Sequence, residues 1–269
     1  MASPPAGRTQ HTKKIAGAPD YDDAAFWDTK FATGQDVGEW LTSGEELVEA
    51  VLADLERRPL PGGLEAARRP RVLHLGPGVS KLGTKLRDAF VRRGWMGNGI
   101  VNVDFSAEAV RLGQELESGQ SQAMHWVQAD LRSWTDTSAN LTRFAPFDVI
   151  LDKSTSDAIA TSEPQIFPSP AGAASGSICP TVREIVDQHG TLSLSPVELL
   201  ALHLVPLTQP GTTWIALSYS ASRFDGLPRL AAHWDLVSRT ALPAPSGETS
   251  SAAAHTPQVF HWIYVLRRR

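Results

Sequence analysis

Cysteine occurs once in 269 residues, at Cys179, which excludes an intrachain disulfide and any thiolate metal cluster. That usage leads us to expect an intracellular, cytoplasmic protein. No run of 18 apolar residues is present, so no membrane-spanning helix is expected. The first residues also lack the apolar core of a secretory signal. An excess of one charge is missing too: the net charge of −4 leaves no electrostatic footprint for nucleic acid. The eight histidines never fall in an H-x-x-x-H or comparable spacing, and no metal is expected. No G-x-S-x-G occurs, which removes a nucleophile-elbow hydrolase. Acidic residues are absent before Asp20, and this Pro- and Ala-rich stretch has no periodicity able to bury a face. Residues 1–20 are expected to be a flexible tail. Arg8, Lys13 and Lys14 would suit a mitochondrial leader, but no amphipathic arginine-rich helix accompanies them.

What remains is ordinary for a globular chain: 42% hydrophobic and 20% charged residues. The length suits one α/β domain with an extension. We read residues 21–269 as that domain. An amino-terminal extension (21–70) precedes a ligand-binding half (71–160), and a second half (161–269) opens with an insertion at 161–194.

The chain is organised around Arg71-Val72-Leu73-His74-Leu75-Gly76-Pro77-Gly78. Val72, Leu73 and Leu75 read as a buried strand. The two glycines let the backbone turn and approach a ligand without a Cβ in the way. Leu82, Leu86, Ala89 and Phe90 then recur at helical spacing before Gly94, so the turn opens a helix whose free N–H groups face a ligand. A dinucleotide fingerprint needs glycine where Lys81 stands, which disfavours NAD. The strand Ile100–Val103 ends in Asp104, an acid able to accept from both hydroxyls of a ribose. A third strand around His125-Trp126-Val127 ends before Asp130 and Leu131, where a carboxylate and a backbone N–H could grip adenine. The fourth, Phe147–Leu151, ends in Asp152 and Lys153. Ser106 is placed to cap the helix after Asp104, with Ala109, Leu112 and Leu116 as its inner face. Continuous apolar strands alternating with one-faced helices predict a parallel sheet covered on both sides. An adenosine ligand without phosphate suits such an edge.

In the extension, Phe26, Trp27, Phe31 and Trp40 would staple a helix to the sheet's flank; Trp27 equally suits a ligand contact. Ser43 and Glu46 read as a capping box for a helix carrying Leu47, Val51 and Leu55, closed at Pro59. Residues 60–70 read as a loop. Residues 161–180 are too rich in Pro, Ala, Gly and Ser for a routine connection and are expected to be a loop able to act as a lid. Pro180 opens a short helix, and Ser195 with Glu198 caps a buried one. Thr213–Ser218 reads as a fifth strand, Trp234–Val237 as a sixth and Val259–Leu266 as the last. His74 is expected to face the packing layer.

Three segments together resemble a known family: Leu75–Leu82, Val103-Asp104-Phe105-Ser106, and Phe147–Ala158 with its Asp152-Lys153-Ser154-Thr155-Ser156-Asp157-Ala158. They are similar to class I methyltransferases that use S-adenosylmethionine, and among these to the branch resembling the elongation factor 1-alpha lysine methyltransferases. That branch usually shows G-C-G-N-S and D-K-G-T-hydrophobic-D-A, from which Pro77, Val79, Ser154 and Ser156 depart. The resemblance implies a doubly wound, Rossmann-like seven-stranded α/β sheet, mostly parallel with an antiparallel last strand and helices on both faces. It implies a cofactor site of Trp27, Gly76, Pro77, Gly78, Asp104, Phe105, Asp130, Leu131 and Asp152. Asp152 and Lys153 would lie at the transferred methyl group, Asp152 positioning an acceptor amine, and Tyr219, Arg223 and Phe224 would contact the acceptor. The expected acceptor is a protein lysine; the alternatives are a small-molecule O-, N- or S-acceptor, or a non-catalytic scaffold that keeps the fold.

Overall fold

The structure is a computed structural model and describes residues 19–34, 38–58, 70–169, 176–245 and 258–269. Residues 1–18, most of the expected loop at 60–70, Pro59 and the middle of the Pro243–Pro257 link lie outside the described residues.

Two helices, α1 (Ala24–Thr33) and α2 (Glu45–Arg57), precede the sheet. The repeating part follows as β1 (Val72–Leu75), α3 (Leu82–Arg92), β2 (Ile100–Asp104), α4 (Ala107–Glu117), β3 (His125–Gln128), α5 (Trp134–Leu141), β4 (Phe147–Lys153) and α6 (Thr155–Ile159). Then come β5 (Gln165–Phe167), α7 (Pro180–His189), β6 (Leu192–Leu194), α8 (Pro196–Leu204), β7 (Thr208–Ser218), α9 (Pro228–Ala231), β8 (Trp234–Pro243) and β9 (Phe260–Arg268). Seven strands form one sheet in the order β3-β2-β1-β4-β7-β9-β8. β3, β2, β1, β4 and β7 pair in parallel, and β9 runs antiparallel to both β7 and β8. This is the doubly wound, Rossmann-like α/β sheet with one antiparallel strand. Its connections run outward in opposite directions from β1 and β4, and that switch is where such sheets open a crevice at their carboxyl edge.

Period-2 alternation within the strands divides the core into two layers. Leu73, Leu75, Val101 and Val103 face Leu200, Ala201 and Leu204 of α8. Val72, Ile100, Val149 and Leu151 face Leu47, Val51 and Leu55 of α2 and Leu86 and Phe90 of α3. Leu86 and Phe90 are fully buried, each contributing about 2 kcal/mol of transfer free energy. His74 lies in this packing layer, fully buried, with Nδ1 2.9 Å from Asn102 Oδ1. Among the described residues no helix is long and apolar enough to cross a membrane.

Several local expectations need correction. Helix α2 starts from Gly44 at φ +81 with no side-chain cap; Ser43 bonds Glu45 rather than forming a box with Glu46. That φ favours glycine at position 44, and a Cβ there would also press on the end of the Leu82 side chain. On α4 the inner face is Ala109, Val110, Gly113 and Glu117, whereas Leu116 is 60% exposed. The rotation follows from Trp126, whose ring packs so closely on Gly113 that a Cβ there would overlap it. The 161–194 insertion carries its own two-stranded sheet, β5 with β6, over a separate apolar cluster of Phe167, Val182, Leu192 and Leu202. The stretch at 161–180, expected as a loop, thus contains the strand β5. β7 and β8 both extend beyond the expected segments; β7 includes Pro210-Gly211, where the register against β4 shifts.

Candidate active site

The carboxyl ends of β1 to β4 open on a cavity of about 200 Å³. Its floor is the turn after β1. Gly76 and Gly78 have φ +50 and +52, values that favour glycine, and a Cβ on Gly76 would run into Thr155. The turn is tied down on both sides: Gly76 N–H donates to Val103 O at 2.8 Å and Gly78 N–H to Asp104 Oδ2 at 2.9 Å. Thr155 Oγ1 donates to Leu75 O at 2.7 Å. Gly76 lines the cavity; Pro77 and Gly78 do not, the latter being covered by Phe31.

Asp104 ends β2 with its carboxylate 5% exposed on the cavity wall. Burial pushes its pKa up to about 6 against the N–H groups of Ser106 and Gly78, and the neighbouring Asp28 carboxylate adds to the rise. Each oxygen accepts one backbone N–H, leaving a lone pair on each for a ligand. Asp28 reaches over from α1 to accept from Ser106 Oγ at 2.6 Å and from Glu108 N–H at 3.1 Å. Phe105, Asp130 and Leu131 continue the wall. Asp130 is held by Arg132, through its N–H at 2.9 Å and its guanidinium at 2.9–3.2 Å. Its carboxylate thus serves first as the turn former that an aspartate before a loop commonly is.

At the β4 end the structure separates residues that the sequence placed together. Asp152 is fully buried, does not line the cavity, and spends Oδ1 on the N–H groups of Thr155 (2.8 Å) and Ser156 (3.2 Å). Burial raises its pKa to about 6. Its place as an amine-positioning group and cofactor contact is corrected: it caps the first turn of α6. Lys153 does line the cavity, with Nζ 2.5 Å from Glu39 Oε2 and 3.1 Å from Thr42 O. Burial opposes ionisation of Glu39, yet hydrogen bonds from Lys153, Lys81 N–H and Ser80 together hold its carboxyl below the usual range.

Of the three expected acceptor contacts, Tyr219 lines the cavity and is 54% exposed. Phe224 is 5% exposed in the core, 5.1 Å from Trp214 and 5.0 Å from Tyr264, so its placement at the acceptor is corrected. Arg223 is turned inward: Nε donates to Asp157 Oδ1 at 2.6 Å while its guanidinium lies 5.5 Å from the Tyr219 ring centroid.

The roof comes from the extension. Tyr21, Trp27, Phe31 and Trp40 line the cavity, and Trp27 stacks on Phe31 at 5.5 Å. Trp40, expected as a staple on the flank, instead donates Nε1–H to Ser154 Oγ at 3.1 Å. Sequence reasoning passed over Tyr21, Thr155, Asp157 and Arg132. The Asp157 position was visible as part of the last motif, but nothing local signals that it accepts from Ser154, Ser218, Tyr219 N–H and Arg223 at once.

No protein-family model matches the chain, and no curated protein does. Among solved structures it is similar to an S-adenosylmethionine-dependent methyltransferase from Anabaena variabilis, with 10% identity, 91% of this chain and 93% of that one covered, and a TM-score of 0.49. It is also similar to the N-methyltransferase NodS from Bradyrhizobium japonicum in complex with S-adenosyl-L-homocysteine (11% identity, 93% and 99% covered, TM-score 0.45). A third is 1,6-didemethyltoxoflavin-N1-methyltransferase from Burkholderia thailandensis (13% identity, 96% and 93% covered, TM-score 0.47). What the cavity can hold follows from its own residues.

Proposed function

We propose that the chain is an S-adenosylmethionine-dependent methyltransferase. The observation that carries this reading is the pairing of the Gly76 turn with Asp104 at the switch between β1 and β4. That edge offers a ribose-type acid and a close backbone approach, and among the described residues its cations, Lys153 and Arg132, are already paired with Glu39 and Asp130. Asp104 would take the ribose hydroxyls, the wall at Phe105, Asp130 and Leu131 the adenine, and the Gly76 turn the amino-acid end. The bound cofactor would supply a methyl group already activated on a sulfonium. The chain's own residues then have two tasks: to align an acceptor lone pair with the methyl–sulfur bond, and to keep water out. Trp27, Trp40 and Tyr21 supply the exclusion, and their ring faces attract a cation.

The resemblance of Asp152–Ala158 to the lysine methyltransferase branch supports a protein lysine as acceptor. The side chains present at the β4 end favour a small molecule instead. A lysine arrives charged, with an unperturbed pKa of about 10.4, and needs a group to take its proton. Here Asp152 is withdrawn, and Asp157 is saturated by four donors including Arg223. A neutral or already ionised small-molecule acceptor, sealed under the aromatic roof, fits that wall better.

Incubating a cell lysate and its small-molecule fraction with methyl-labelled cofactor decides between the two. Label in the small-molecule fraction supports the reading the wall favours; label in one protein band returns the acceptor to lysine. Absence of transfer to both leaves a scaffold.

A further inference from the structure

A second cavity, of about 550 Å³, lies on the far side of Asp130 and Arg132, between the start of α5, β5 and α8. That is within the size range of pockets for small ligands. It shares Asp22, Asp130 and Arg132 with the first cavity but has its own walls. Its charge is one-sided. Arg132 is consumed by Asp130, by Ser162 Oγ at 2.9 Å, and by Asp22 at 3.7 Å. Asp130 alone balances its one positive charge. Glu163, exposed on the same wall, makes no ion pair among the described residues. An anionic guest would meet, among the described residues, a net negative lining whose one cation is already paired.

The other walls are aromatic and neutral. Trp134 and Phe167 line the cavity, and the Trp134 ring lies 5.7 Å from that of His203. His203 is 2% exposed and lines the cavity as well. Burial lowers its pKa to about 4, so the ring is neutral. Its Nδ1 lies 2.8 Å from the Leu131 carbonyl; a carbonyl only accepts, so Nδ1 carries the proton and Nε2 keeps a lone pair. The lining therefore combines excess carboxylate, aromatic faces and a neutral acceptor. That set recognises an organic cation.

We infer that this second cavity is a binding site for a small organic amine, its ammonium held at Glu163 and its apolar body against Trp134 and Phe167. The site does not depend on the methyl-transfer reading. Through the shared Asp130 and Arg132 its occupant also touches the wall of the first cavity, so the two sites are placed to influence each other.

The test is calorimetric titration of the full chain with phenethylamine and with 3-phenylpropionate, which match in body and differ in charge. The amine binds saturably and the carboxylate does not. Glu163→Gln, at an exposed position, weakens amine binding about fivefold, the scale of one partly exposed ion pair. Trp134→Leu weakens it as well, while Tyr219→Ala, confined to the first cavity, leaves it unchanged. The inference is overturned by equal or tighter binding of the carboxylate, by no saturable binding of the amine in the millimolar range, by an unchanged affinity in Glu163→Gln, or by a larger loss in Tyr219→Ala than in Glu163→Gln.

Discussion

The Ser154 hydroxyl donates to the buried Asp157 carboxylate at 2.7 Å, from a backbone at φ +66. This explains why a glycine-type position can hold serine: the left-handed backbone costs about 1 kcal/mol for a residue with a Cβ, and the hydrogen bond offsets a similar amount. Ser154→Gly should therefore stay within about 1 kcal/mol of the parent. Ser154→Ala keeps the strain and loses the bond, and should be destabilised by about 1–2 kcal/mol in urea denaturation.

Asp157 gathers Arg223, Ser218, Ser154 and the Tyr219 N–H under the loop that follows β7. Asp157→Ala leaves the Arg223 guanidinium, 12% exposed, without its partner, and should cost about 3–5 kcal/mol. Arg223→Met, which removes the charge and keeps the bulk, should be milder. Thermal melts of the two variants rank them.

The first four parallel strands and the glycine turn were legible along the chain because each is a local pattern: Val72–Leu75, Ile100–Asp104 and Phe147–Lys153 are mostly apolar, with single polar residues at His74, Asn102 and Asp148, and the first is followed by Gly76-Pro77-Gly78. Asp104 could be placed for the same reason, since it directly ends a strand. Asp152 could not. It sits one register earlier on β4, level with Val103 rather than Asp104, a difference that only the strand pairing reveals, and the left-handed Ser154 folds α6 back onto it. Trp40 and Phe224 were misplaced because an aromatic in a loop carries no periodicity to say which neighbour it meets. The β5–β6 sheet was hidden by its three-residue strands, too short for an alternation to register.

Asp152 also makes a pH prediction. Its folded pKa of about 6 lies above the ordinary 3.8. The stability it contributes is therefore fully present below about pH 4 and lost as pH rises through 6. Asn at this position does not titrate, so the stability of Asp152→Asn relative to the parent should improve by up to about 3 kcal/mol between pH 4 and pH 8. Denaturation at the two pH values checks this. The same variant should retain the proposed methyl transfer at neutral pH, because the side chain does not line the cavity.

Asp104 acts in the opposite sense on binding. In the proposed complex ribose hydroxyls would donate to its ionised form, and in the free protein that form is lost as pH falls through about 6. Cofactor affinity should hold steady above pH 7 and drop about tenfold per pH unit below 6, a slope absent from Asp104→Asn.

Calorimetric titration of the parent and of Asp104→Ala with S-adenosylhomocysteine, with NAD as the control ligand, bears most directly on the central claim. The account predicts one saturable site for S-adenosylhomocysteine, no comparable binding of NAD, and an affinity loss of about 10- to 100-fold in Asp104→Ala, the scale of hydrogen bonds to a charged group. Equal affinity in Asp104→Ala, or tighter binding of NAD, would contradict it.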